Sequence, residues 1–157
     1  MSDTPEFLSQ RLRSEGDKIT AFFARLTPPD WEKTVYEEGC SWTVRQIFAH
    51  FVSTEANLFL LVKDIAAGGK GAPEDFNIDL FNQQEVEKLE STGLPELLER
   101  FRDLRHQTAD LIGCLSPADL EKKGRHPFLG LAPVSEIVKL IYLHIQIHLR
   151  DIRKVLA

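Results

Sequence analysis

The sequence offers very little sulfur chemistry. Its two cysteines, Cys40 and Cys114, lie far apart and neither has a C-x-x-C partner, which argues against a disulfide framework or a cysteine metal site. Reduced thiols in the cytoplasm fit best. No run of about 18 apolar residues occurs, so no membrane-spanning helix is expected. The N-terminal MSDTPEFLSQ lacks a basic segment followed by an apolar one, and export is not expected either. Positive charge is also short, with 19 Lys and Arg against 24 Asp and Glu, for a net charge of -5. A phosphate backbone would repel such a chain on average, which disfavours direct nucleic-acid binding. With only 8 Pro and 9 Gly in 157 residues and 43% hydrophobic residues, the composition is globular. One domain spanning residues 1-157, burying ~70% of its unfolded surface, is expected.

What the chain has instead is helical periodicity. Thr4-Pro5-Glu6 supplies a capping hydroxyl, a proline at the first helical position and an acid in the first turn. Leu8, Leu12, Ile19, Phe22, Phe23 and Leu26 then recur at helical spacing around Gly16, which predicts a helix over 4-26. Thr43-Val44-Arg45-Gln46 reads as a capping box for a second helix over 43-66, whose apolar stripe runs through Ile47, Phe51, Leu58, Val62 and Ile65. A third is predicted over 95-115 and a fourth over 133-156. Between Gly68-Gly69 and Thr92 lies a polar connection of roughly 25 residues, too long for a turn between antiparallel neighbours. It implies a crossover. The expected fold is therefore all-α, a four-helix bundle with up-down-down-up topology in which the second and third helices run parallel.

The two halves of the chain repeat one another. Leu26-Thr-Pro-Pro-Asp-Trp-Glu-Lys33 and Leu115-Ser-Pro-Ala-Asp-Leu-Glu-Lys122 share five of eight residues, and both read as short helices opened by proline. One inserted residue extends the match, aligning Thr43-Val44 with Pro133-Val134 and His50 with Leu140. The chain thus reads as two helix-connector-helix units about a pseudo-two-fold.

On the fourth helix His144 and His148 occupy the apolar stripe that Val134, Ile137, Ile141, Ile152 and Val155 define. Side chains four apart stand one above the other with Cβ atoms ~6 Å apart, so both imidazoles can reach one ion at ~2 Å. Under the repeat alignment His50 falls on the same i, i+4, i+8 line. The pseudo-two-fold would then bring His50 towards the other two. Three imidazoles with a coordination position left open suit catalytic zinc, and equally nickel, iron, manganese or copper. The same spacing is also compatible with core histidines hydrogen-bonded to carbonyls. It leaves both open.

Trp42-Thr-Val-Arg-Gln-Ile-Phe-Ala-His50 with Glu55 following resembles the W-[ST]-V-x-x-[IL]-x-x-H-x-x-x-x-E signature of the DinB/YfiT-like metalloenzymes. His144-x-x-x-His148, the L-[TS]-P-x-D connectors and Asp79-Leu-Phe-Asn82 extend the resemblance over essentially the whole chain. It implies a four-helix bundle with parallel second and third helices and a divalent metal on His50, His144 and His148. Members include thiol S-transferases and isomerases that use bacillithiol, mycothiol or a similar small thiol, and a hydrolase. Zinc or nickel, with iron or manganese as further candidates, an external low-molecular-weight thiol, a small-molecule substrate and a homodimer follow as expectations.

Around that site, Glu55 is expected either as a general base or a hydrogen-bond acceptor behind the ligands, or in a structural role as the partner of an arginine such as Arg45, Arg102 or Arg105 or in a helix-end contact. Asp79 and Asn82 in the crossover would orient substrate or a histidine, with a helix N-cap the plainer role for Asp79. Tyr142 would donate to substrate or pack half-buried. His106 is expected to face solvent and His126 to lie in a surface loop, neither of them a ligand. The leading expectation is a metal-dependent enzyme activating a thiol or water for S-transfer or hydrolysis, the alternative a non-catalytic metal-binding module for stress response or sequestration.

Overall fold

The computed structural model describes residues 3-39 and 41-157, so Cys40 lies outside the described residues. Four long helices carry the fold: α1 (Pro5–Ala24), α3 (Val44–Ala66), α5 (Leu94–Gly113) and α7 (Val134–Leu156). Their starts follow local chemistry. Thr4 Oγ1 accepts from the Phe7 amide, and Thr43 with Gln46 closes the capping box that opens α3. Two short helices, α2 (Pro28–Trp31) and α6 (Pro117–Glu121), follow α1 and α5, each opened by proline and by a reciprocal cap at Thr27 or Ser116.

Side-chain partners fix the directions. Arg45, at the start of α3, donates to the carbonyl of Thr92 just before α5, and Glu55 further along α3 meets Arg105 further along α5, so these two helices run parallel. Ser9 pairs with Ala109 and the Leu12 carbonyl with Arg105, which makes α1 and α5 antiparallel. Tyr142 lies under Arg11 and Gln146 beside Glu15, which makes α1 and α7 parallel. This is the up-down-down-up bundle. The repeat also shows in the backbone: the Val44 amide donates to the Lys33 carbonyl at 3.0 Å, and the Val134 amide to the Lys122 carbonyl at 2.9 Å.

Three features were not expected. The crossover is not a plain polar connection, because α4 (Ile78–Lys88) occupies its second half, capped by Asn77 rather than Asp79. Each unit also folds a two-stranded antiparallel hairpin between its short and its second long helix. These are β1 (Thr34–Tyr36) with β2 (Trp42–Thr43), and β3 (Lys123–His126) with β4 (Gly130–Pro133).

The core divides into two clusters. One gathers Leu12, Leu58, Ala109 and Tyr142; the other gathers Ile19, Phe23, Phe48, Phe51, Phe101 and Ile145. Between them lies a polar layer. Arg105 and Glu55, 1% and 2% exposed, form a two-pronged pair at 2.8 and 3.0 Å, and Arg105 Nη1 donates to the Leu12 carbonyl at 3.1 Å. Gly16 is what lets this arginine in: a Cβ there would stand 2.5 Å from Arg105 Cγ. His144 falls at the same boundary on α7, between Tyr142 of one cluster and Ile145 of the other.

Candidate metal centre

The histidines come from α3 and α7, which carry their apolar stripes toward one another in the second core cluster. His50 and His144 approach Nε2 to Nε2 at 3.2 Å, and His148 and His144 at 3.0 Å. Two imidazole nitrogens at ~2.0-2.1 Å from a tetrahedral cation would stand ~3.3 Å apart, so this spacing fits a shared divalent ion. All three offer a nitrogen within 4.8 Å of the others. Phe51 borders the rings of His144 and His148, and Trp42 stands beside His50 with ring centroids 5.1 Å apart.

Two of the outward-facing nitrogens have partners. Thr54, one turn after His50, places its hydroxyl 3.3 Å from His50 Nδ1. Tyr36 Oη lies 2.8 Å from His148 Nδ1 and donates to Asp151 Oδ2 at 2.7 Å. Burial and the Asp151 carboxylate push the Tyr36 hydroxyl pKa up, so it remains a phenol.

Burial also keeps the imidazoles neutral. It lowers His50 from 6.5 to about 3 and His144 to about 4, with neighbouring imidazoles adding to both effects. His148 is lowered by burial too, against the opposing pull of Asp151. Each is therefore neutral at neutral pH and has one unprotonated nitrogen, the form a metal requires. A stability consequence follows. As pH falls from 6.5 towards about 4, the unfolded chain takes up protons at these positions and the folded chain does not, so folding of the metal-free protein weakens across that window. Thermal melts from pH 7.5 to 4.5 should show a falling midpoint, with a shallower slope in His50→Gln. Equal slopes in the two proteins would contradict it.

The cluster opens on a cavity of about 860 Å³, bounded by Tyr36, Glu37, Glu38, Trp42, Asp79 and Asn82 besides the histidines. The crossover helix and the first hairpin thus complete the site, as was expected for Asp79 and Asn82 in location. Glu55 does not line the cavity. Both its oxygens are taken by Arg105, which is the structural pairing weighed above. Tyr142 is buried beneath Arg11 and also lies off the cavity. His106 is partly exposed, near Asp17. His126 is not in a surface loop: it ends β3, is 7% exposed, and its Nδ1 accepts from the Phe128 and Leu129 amides. Neither joins the cluster.

Tyr36, Thr54 and Asp151 were not foreseen. Thr54 lies four residues after His50, and Asp151 three after His148 and seven after His144, so helical spacing placed both on the histidine faces. Tyr36 carried no such signal, because only the hairpin turns it towards α7.

The fold and site thus define a class: a four-helix bundle in which three imidazoles from two helices lie together beside an open cavity, a cluster that could hold a metal ion. The chain belongs to the DinB superfamily, whose family profile matches residues 11-152. Among solved structures it is similar to YfiT from Bacillus subtilis, described as a "probable metal-dependent hydrolase with an unusual four-helix bundle topology". There the identity is 16%, the TM-score 0.78, and the match covers 96% of this chain and 85% of that one. It is also similar to a mycothiol-dependent maleylpyruvate isomerase, at 14% identity and a TM-score of 0.73, covering 94% of this chain and 59% of the isomerase. These likenesses establish the fold. No curated protein matches the chain in sequence. Among the described residues no helix is long and apolar enough to cross a membrane.

Proposed function

We propose that the protein is a divalent-metal-dependent enzyme in which His50, His144 and His148 hold the ion, zinc or nickel first and iron or manganese next. The observation that carries this is the convergence of three neutral imidazoles on a cavity far larger than one ion needs. When bound, the ion would supply positive charge that lowers the pKa of a coordinated thiol or water to near neutrality. The chain's own residues shape what enters. Trp42 and Tyr36 contribute aromatic rings from the first hairpin, and Asn82 and Asp79 offer polar groups from α4. A small molecule is the substrate of the right size, and S-transfer or hydrolysis the reaction, since YfiT and the mycothiol-dependent isomerase share this fold. For S-transfer the thiol would be external: neither cysteine falls on the histidine line of the sequence, and Cys114, the one among the described residues, is exposed and does not line the cavity.

The test is a cobalt-loaded sample titrated with small thiols, carboxylates and azide. Three histidines leave at least one position to solvent, so the visible absorption should change on ligand addition and the apparent affinity should vary with pH. A spectrum unmoved by every ligand would contradict the enzyme reading and favour a sequestration module. Turnover of thiol conjugates or labile esters by the loaded protein, against a metal-free control, separates the same two accounts.

A further inference from the structure

The three imidazoles are not held alike. Among the described residues nothing hydrogen-bonds Nδ1 of His144, and His50 has only the Thr54 hydroxyl at 3.3 Å. His148 has a two-step chain: Nδ1 to Tyr36 Oη at 2.8 Å, then Tyr36 Oη to Asp151 Oδ2 at 2.7 Å. A phenol has one proton, and an ionised carboxylate can only accept. At 2.7 Å the proton must lie between Tyr36 and Asp151, since two bare oxygens would repel there. The phenol oxygen is then left as acceptor towards His148, whose proton must sit on Nδ1. Its Nε2 is correspondingly bare and faces His144 at 3.0 Å.

We infer that Tyr36 and Asp151 form a positioning pair for His148, fixing its Nδ1–H tautomer and ring orientation so that its Nε2 lone pair points into the cavity. The inference rests on the proposed metal reading for its purpose, though not for its geometry. Its parts come from both halves of the chain. Asp151 rides on α7 three residues after His148, whereas Tyr36 reaches α7 from the first hairpin. The hairpin thereby joins the site's wall to its ligand. Partners on the outer nitrogen of a ligating histidine set its tautomer and strengthen it as a donor, and removing them costs 10-100-fold in metal affinity.

Nitrogen-15 NMR of the metal-free protein reads the tautomer directly, and competition with a chromophoric chelator reads affinity for zinc alone. In the native protein His148 should be the Nδ1–H tautomer. Tyr36→Phe should shift it to a mixture or to Nε2–H and weaken zinc binding about 10-100-fold, with helical circular dichroism unchanged. Asp151→Ala, which leaves Tyr36 no side-chain acceptor at this position, should weaken zinc binding in the native background and cost clearly less in Tyr36→Phe, because the carboxylate sets the tautomer through the hydroxyl. If Tyr36→Phe fails to fold, Asp151→Ala gives the same tautomer readout, since a Tyr36 hydroxyl without the carboxylate is free to donate to His148 Nδ1. An unchanged tautomer in the variants, or additive losses, would overturn the pair. Absence of zinc binding by the native protein would instead refute the metal reading, and the tautomer arm would still decide the pairing.

Discussion

Alanine at His144 is expected to abolish stoichiometric metal binding, with a loss of at least ~100-fold in affinity, beyond the 10-100-fold range of an outer partner. His144 is the sharpest test because its Nε2 is the one that meets both others, at 3.2 Å to His50 and 3.0 Å to His148. Without it only one imidazole from each of two helices remains. Alanine at His50 or His148 should act in the same direction. His106→Ala should retain one ion per chain, as should His126→Ala once its fold is verified, since His126 is buried and caps its own turn. Metal content of the purified proteins, beside their helical signal, checks this. A His144→Ala protein that keeps a full equivalent of metal would end the ligand assignment.

Breaking the pair in the middle of the bundle should have the largest effect on stability. Removing one partner leaves the other charge buried and unmatched, and costs ~3-5 kcal/mol. That is a large part of an ordinary domain's total of ~5-15 kcal/mol. Arg105→Met should be severe because the guanidinium also satisfies the Leu12 carbonyl. Replacing both partners, Glu55→Leu with Arg105→Met, should recover much of the loss, since an apolar pair of similar volume leaves no charge unmatched. Urea unfolding measures all of these. Single variants within 1 kcal/mol of the native protein would contradict this account of the layer. Loss of turnover in Glu55→Gln at intact stability would restore a chemical role for Glu55.

The long helices were legible because their information is local and redundant. Apolar residues recur every three or four positions, and Thr4, Thr43 and Gln46 mark where helices begin. The hairpins were not, since strands of two to four residues are too short to establish an alternation. Helix α4 escaped for a related reason: Val86 is its one buried residue among those described, so it has almost no apolar stripe. Gly124 and Pro127 around His126 read as loop punctuation, whereas the first lies within β3 and packs onto Ile65. The clustering of the three histidines could be read because spacing paired two of them and the repeat supplied the third. Which arginine would meet Glu55 depended on the parallel crossing of α3 and α5 and on the space at Gly16, which are properties of the packed bundle.

The central claim is that His50, His144 and His148 together hold one divalent ion with a coordination position left open. Anomalous diffraction at the zinc edge, from crystals of the zinc-loaded protein, tests it most directly. The account predicts one ion ~2.0-2.1 Å from Nε2 of each of the three histidines, with no fourth protein side chain bound and the remaining position facing the cavity. An ion found elsewhere, or one closed off by a fourth side chain, would contradict it.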